Sequence, residues 1–238
     1  MFFKKAFEKK LYWWFYDILV SPSYPYQELL KVIFSKLNPL PEEVILDAGC
    51  GTGTFLEMLT KAKIKKIYGL DLSCDALNFA KKKAPGAVLL KVDLKKPLPF
   101  EKGKFDKIVC INVLYLLPQK ERKKILKNFF KLLKNNGKII IVNPISKGSN
   151  LKIFFADIKK SFQNKGICQG VRRLFWSLIA ICGMTLPYLK RVKRKLFLNQ
   201  NEQENLLKEA GFFVLFSQKV YADQAILTVA KKSPKNKN

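Results

Sequence analysis

Short apolar runs alternate with amphipathic stretches through the middle of this chain. Val44-Ile45-Leu46 reads as a buried strand, and the pattern then predicts a helix over 54–61. Residues 66–70 predict a second strand followed by a helix over 75–83, and 87–92 a third strand. Residues 107–111 predict a fourth strand, with a helix over 120–134 that Gly137 closes before a fifth strand at 138–142. β-rich runs separated by helical stretches mean βαβ units, a parallel sheet and right-handed crossovers. The alternation returns near the C-terminus. A helix over 202–210 stops at Gly211, and 212–219 and 225–230 are two strands joined by Val220-Tyr221-Ala222-Asp223-Gln224. That strand-to-strand return makes the last strand antiparallel.

Two segments depart from the alternation. In 1–40, Phe3, Phe7, Leu11, Trp14 and Ile18 recur at spacings of three and four, with Lys4, Lys5, Glu8 and Lys9 elsewhere on the wheel. Pro22 and Pro25 are expected to end this helix, and a second runs from about residue 26 to 37 before Pro39 and Pro41. The basic start followed by apolar 11–20 faintly resembles a signal peptide, but Asp17 interrupts the run and Ser21-Pro22-Ser23 is a poor cleavage site. Residues 146–199 carry helical stretches at about 151–164 and 171–195. The second contains apolar 174–189 between Arg172-Arg173 and Lys190-Arg191. It is too short for a span and contains Gly183 and Pro187. Two roles stay open for it, a lid over the sheet and a helix lying in a membrane interface.

Charge adds a question about partners. Lys and Arg total 45 against 18 acids, a net charge of +27, which suits nucleic acid or an anionic membrane face. Only Arg122, Arg172, Arg173, Arg191 and Arg194 are arginines, and Lys lacks the bidentate geometry suited to phosphates and guanines. A lysine-rich, Ile-, Asn- and Phe-rich composition also fits AT-rich codon drift. The chain has no His, which excludes Ser-His-Asp triads, zinc-His sites and facial-triad iron. Five scattered Cys without a CxxC pair fit neither a zinc ribbon nor a disulfide framework. No metal is expected, and a reducing, cytoplasmic compartment is.

The first strand runs directly into Asp47-Ala48-Gly49-Cys50-Gly51-Thr52-Gly53-Thr54-Phe55. Glycines there permit positive φ and close approach of a ligand to the backbone. The spacing is GxGxG, and an acid beside it would repel a phosphate. It suits a cationic ligand without a pyrophosphate. Asp47, Asp71 and Asp93 fall at three successive strand ends, so the carboxyl edge of the sheet becomes locally anionic. The competing role for each is capping the helix that follows.

Leu46-Asp47-Ala48-Gly49-Cys50-Gly51-Thr52-Gly53 resembles motif I of the class I S-adenosylmethionine-dependent methyltransferases. Gly69-Leu70-Asp71-Leu72-Ser73 resembles the family's second strand end, where an acid holds the ribose hydroxyls. Val92-Asp93-Leu94 is similar to the adenine-edge loop, and 105–118, through Asn112 and Tyr115, to the fourth strand and its active-site turn. The resemblance covers about 42–145 and 200–231. It implies an α/β fold: a Rossmann-like, doubly wound seven-stranded sheet with an antiparallel last strand, N-terminal helices and a helical insertion after strand 5. The division is then a helical cap at 1–40, a cofactor domain at 41–145 and 200–231, an insertion at 146–199, and a disordered tail at 232–238.

The resemblance also implies S-adenosyl-L-methionine as cofactor, held by Asp47, Gly49, Cys50, Gly51, Gly53, Asp71, Leu72, Asp93, Leu94 and Asn112. Asp106, before strand 4, lies at the opposite edge and is expected to be structural. Tyr115 stands where relatives often carry His, so the base is open, and Tyr16 is a second substrate-side candidate, with Tyr12 and Asp17 nearby. Core packing is the alternative for each Tyr. The acceptor is expected to be small and hydrophobic or lipid-like, with an anionic membrane surface as a candidate partner and a peripheral position on its inner face. Two other readings are weighed. A nucleic-acid methyltransferase would use the basic surface, but the chain lacks an Asn-Pro-Pro-Tyr turn, a Pro-Cys nucleophile and an RNA-binding module. The other is a non-catalytic cofactor-binding protein. Nothing in the sequence sets the oligomeric state.

Overall fold

A computed structural model describes residues 10–145, 149–191 and 197–232, with the backbone alone at 150, 165, 169 and 177–191. Seven strands form one sheet: β1 (Val44–Ala48), β2 (Lys66–Asp71), β3 (Val88–Lys91), β4 (Phe105–Ile111), β5 (Leu133–Pro144), β6 (Phe212–Val220) and β7 (Ala225–Lys232). Their order is β3-β2-β1-β4-β5-β7-β6. β1 pairs in parallel with β2 and β4, whereas β7 runs antiparallel to both β5 and β6. The doubly wound sheet and its antiparallel last strand are as expected. Lys232, expected in the tail, ends β7 opposite Phe212; the rest of the tail lies outside the described residues.

Helices cover both faces. They are α1 (10–20, of which Tyr16–Val20 is a π-helix), α2 (Tyr24–Leu37), α3 (Thr54–Lys61), α4 (Cys74–Lys83), α5 (Gln119–Leu132), α6 (Asn150–Arg191) and α7 (Gln200–Glu209). Phe3 and Phe7 lie outside the described residues. One core cluster joins Leu29, Leu30, Ile33 and Leu37 of α2 to Phe55, Leu56 and Leu59 of α3 against the sheet. The opposite cluster joins Ile125, Leu126 and Phe129 of α5 to Leu206 and Leu207 of α7.

Three boundaries move, each for a physical reason. Pro25 does not end α1. It sits in the first turn of α2, where its missing N–H costs nothing. α5 stops at Leu132, because Leu133 already pairs with Phe105 of β4, so Gly137 lies inside β5. The two insertion stretches are two helical halves as expected, but the gap between them narrows to a break at Gly166 (φ 77°, ψ 176°). Among the described residues no helix is long and apolar enough to cross a membrane.

Side-chain ties hold the cap to the sheet at both ends. At the amino edge, Lys107 Nζ donates to Asn38 O at 2.6 Å and Lys138 Nζ to Lys36 O at 3.0 Å, satisfying carbonyls at the end of α2. Asp106 lies at that edge as expected. It accepts from Val44 N at 2.9 Å and pairs with Lys134 at 2.8 Å. Its partial burial favours the protonated form, but Lys134 and the Val44 amide outweigh this and lower its pKa. At the carboxyl edge, Asp157 of α6 accepts from Tyr24 N at the start of α2, and Arg173 donates to Leu19 O at the end of α1.

Candidate cofactor and active site

β1 ends in the interior, so the chain must turn sharply to start α3. Gly49, Gly51 and Gly53 all take positive φ, at 87°, 52° and 78°. Gly49 N and Cys50 N both donate to Leu70 O, at 2.7 and 2.9 Å, which seats the turn on the end of β2. A Cβ on Gly49 would lie 2.2 Å from Val113 Cγ2, so no side chain fits between the turn and the segment after β4. A Cβ on Gly51 would face Trp13 of α1 at 3.5 Å, which places an indole over the turn. The Cys50 side chain packs beneath, 3.0 Å from the position of a Gly69 Cβ, and burial pushes its thiol pKa up, so the thiol is protonated.

Asp71 is fixed at the end of β2. Its Oδ2 accepts from Gly51 N and its Oδ1 from Ser73 N, both at 2.9 Å. Asp47 is different. It is 2% exposed, and its Oδ1 has no hydrogen-bond partner among the described residues. Burial, then the charge of Asp71, raises its pKa to about 8. Burial also raises Asp71, opposed by the amides of Ser73, Gly51 and Leu72. Asn112, at the end of β4, has φ 55° and a second orphaned buried oxygen, Oδ1. Buried acceptors without donors are costly. Two of them beside a glycine turn fit a ligand that brings donors and positive charge.

Other expected residues fall less centrally. Asp93 accepts from Lys95 N at 3.0 Å and pairs with Lys95, so it also closes its own turn. Leu94 is buried in the core, whereas Leu72 is 63% exposed at the carboxyl edge. Tyr115 is buried in the short 3-10 turn Leu114–Leu116, stacked on Phe197 at 5.5 Å, and its amide donates to Asn143 Oδ1. Tyr16 contacts Tyr12 and Tyr26, and Tyr26 contacts Tyr221. Burial, then the neighbouring Tyr26, raises Tyr16 well above the usual phenol value. Burial likewise raises Tyr26, to about 12. Both phenols therefore stay protonated at neutral pH.

The sequence did not single out several residues that hold this arrangement. Lys83, at the end of α4, pairs with Asp17 and donates to Thr54 Oγ1 at 3.2 Å. Ser21 Oγ is 3.3 Å from Thr52 Oγ1 and accepts from Thr54 Oγ1 at 3.0 Å, so α1 is tied to the glycine turn by a polar cluster. Trp13 lies off the apolar stripe that carries Trp14, so its place over the turn had no periodic signal. Lys83 carried no local signal, being 66 residues from Asp17.

Comparisons with known proteins agree with this geometry. A family profile described as "Methyltransferase domain" matches residues 45–137. The ubiquinone biosynthesis O-methyltransferase of Saccharomyces cerevisiae is 34% identical over 37% of this chain and 30% of its own length. A demethylmenaquinone methyltransferase of Lactococcus lactis is 26% identical over 82% of this chain and 75% of its own. The chain spans about half or less of the curated relatives that it matches above 30% identity. The solved magnesium protoporphyrin IX methyltransferase of Synechocystis, with bound SAH, superposes with a TM-score of 0.60 at 19% identity, covering 88% of this chain and 84% of that one. A SAM-dependent methyltransferase of Aquifex aeolicus gives 0.59 at 17% identity, covering 85% and 89%. Likeness at that identity shows the fold. Joined to the matched domain, it shows that residues 45–137 form a methyltransferase domain and that the chain has the fold of the S-adenosylmethionine-dependent methyltransferases.

Proposed function

We propose that this chain transfers a methyl group from S-adenosylmethionine to a small, hydrophobic, lipid-like acceptor by in-line displacement at carbon. The observation that carries the reading is the pair of orphaned buried oxygens, Asp47 Oδ1 and Asn112 Oδ1, beside a glycine turn that already holds Asp71. Bound there, S-adenosylmethionine supplies a methyl group made electrophilic by a sulfonium. Asp47 and Asp71 favour its positive charge over the anionic or neutral groups that the basic surface would otherwise attract. Gly49, Gly51 and Gly53 let the backbone approach it. Trp13 above the turn excludes water, which strengthens these electrostatic contacts.

On the acceptor side the chain offers orientation rather than a strong base. It has no His, and the phenols of Tyr16 and Tyr26 are held protonated. Holding a nucleophile at attack distance is worth up to ~7–11 kcal/mol, sufficient for an acceptor that deprotonates readily. Tyr12, Tyr16 and Tyr221 form a partly exposed aromatic row joined through buried Tyr26, which senses the charge of Asp47. Aromatic surface of this kind suits an apolar, ring-bearing acceptor. Relatives named for ubiquinone biosynthesis and demethylmenaquinone methylation support the same class.

The test incubates the purified chain with methyl-labelled S-adenosylmethionine and a cell extract, then extracts with organic solvent. Label in the organic phase is expected. Label confined to RNA or to aqueous metabolites would overturn the hydrophobic acceptor. No incorporation, with intact cofactor binding, would leave a binding protein.

A further inference from the structure

We propose that α1 and α6 together form a face that docks on an anionic lipid bilayer. An amphipathic helix on a globular protein normally turns its apolar stripe to the core. These two helices leave stripes outside. On α1, Leu11, Trp14 and Ile18 are 39%, 39% and 38% exposed, at spacings of three and four. On α6 beyond Gly166, Ile167, Val171 and Phe175 are 79%, 53% and 60% exposed at a spacing of four; before it, Leu151 and Phe155 are both 63% exposed. The stripes belong to one region, because Arg173 Nη1 donates to Ile18 O at 3.4 Å and its Nη2 donates to Leu19 O.

The unpaired charge on these two helices has one sign, and Glu28 of α2, which shares a cavity with Lys160, pairs with Lys31. Residues 149–191 contain eight Lys or Arg and a single acid, Asp157, which Arg173 engages. The one acid of 10–20, Asp17, is engaged by Lys83. Among the described side chains, Lys10, Lys152, Lys159 and Arg172 are exposed beside the stripes, with neutral Gln163, Asn164 and Cys168 between the two halves of α6. A second copy of this chain would bring like charge against like charge. A nucleic acid would meet the cations but would gain nothing from exposed Ile167 and Phe175. An anionic lipid surface matches both features, its headgroups meeting Lys and Arg while its acyl boundary takes Phe, Ile and Trp. No described helix is long and apolar enough to cross, which leaves a position in the plane of the interface. This surface goes beyond methyl transfer and does not depend on it.

The full chain is sedimented with phosphatidylcholine vesicles, with and without phosphatidylglycerol, at low and high salt. Binding is expected to be roughly tenfold or more tighter with phosphatidylglycerol, and weaker in salt. Ile167→Ser with Phe175→Ser, and separately Lys159→Glu with Arg172→Glu, should each lower partitioning several-fold, with melting curves unchanged because all four side chains are exposed. Brominated lipid should quench tryptophan fluorescence, and Trp14→Phe with Trp176→Phe should remove the quenching, since the remaining Trp13 faces Gly51. Equal binding to both vesicles, no binding, or quenching that survives in the double Trp variant would overturn the proposal. So would concentration-dependent self-association that the Ile167/Phe175 variant abolishes. The assay needs no turnover, so its failure leaves the methyl-transfer reading standing.

Discussion

Asp157 and Arg173 meet across the break in α6, with Oδ2 and Nε 2.7 Å apart, and each also holds the end of another helix. Asp157 Oδ1 accepts from Tyr24 N at 2.7 Å, at the start of α2, and Arg173 donates to the last carbonyls of α1. The pair therefore fixes the insertion and the cap to each other. Both side chains are largely buried, so removing one partner strands the other. Asp157→Ala and Arg173→Ala should each destabilise the chain by about 3–5 kcal/mol. Thermal melts check the magnitude, and limited proteolysis should show new cleavage near residues 20–24 and 166.

A second tie acts on the glycine turn. Lys83 brings Asp17 of α1 to Thr52 and Thr54, and with it positions Trp13 over Gly51. Lys83→Met should raise the KM for the cofactor several-fold while changing kcat less, because the roof loosens and the acids stay in place. The pair is only partly buried, so the stability cost should be modest, ~1–3 kcal/mol. In a double-mutant cycle, Asp17→Asn on the Lys83→Met background should add little. Additive losses would show that the two residues act separately.

The contrast between these ties and the strands explains what the sequence conveyed. Strands such as Val44–Ala48 and helix α3 were legible because each is set by local pattern: a β-rich run, then a glycine turn, then a helical period. The glycine turn at Gly49, Gly51 and Gly53 was legible because a sharp exit from β1 demands positive φ at one place in the chain, and Asp47 and Asp71 because each falls at a strand end. The end of α5 was not, since pairing of Leu133 with Phe105 overrides the glycine stop four residues later. The Lys83–Asp17 and Arg173–Asp157 contacts were not, because a charge pair far apart in sequence leaves no periodic trace. The α1 stripe showed its period but not its direction: Leu11, Trp14 and Ile18 face solvent, while Trp13 beside them faces the turn.

Asp71 holds the turn through Gly51 N and Ser73 N, and a role in cofactor binding as well would separate two substitutions. Asp71→Ala removes charge-assisted hydrogen bonds worth ~1.5–3 kcal/mol each, so cofactor affinity should fall at least ~10-fold by calorimetric titration. Asp71→Asn retains an oxygen that can accept from Gly51 N, and should keep more of the stability than of the affinity. A folded Asp71→Ala variant with unchanged affinity would remove Asp71 from the cofactor site.

The raised pKa of buried Asp47 predicts a pH dependence of stability and of cofactor binding. Its pKa is about 8 in the fold, above the ordinary carboxylate value of about 4 that an unfolded chain would show. Between those values the folded state without ligand binds a proton that the unfolded state does not. Stability then falls as pH rises through that window, by up to ~1.4 kcal/mol per pH unit, and levels off above pH 8. A cationic ligand needs the ionised carboxylate, so binding must expel the proton. Cofactor affinity should therefore rise with pH up to about 8 and be flat beyond it. Titration calorimetry in buffers of different ionisation enthalpy should detect close to one proton released per ligand at neutral pH. Asp47→Asn should reverse both trends: a melting temperature at pH 8 above that of the wild type, and weak, pH-independent binding. Proton release that persists in Asp47→Asn would place the titrating group elsewhere in the site, with Asp71, whose pKa burial also raises, as the next residue to replace.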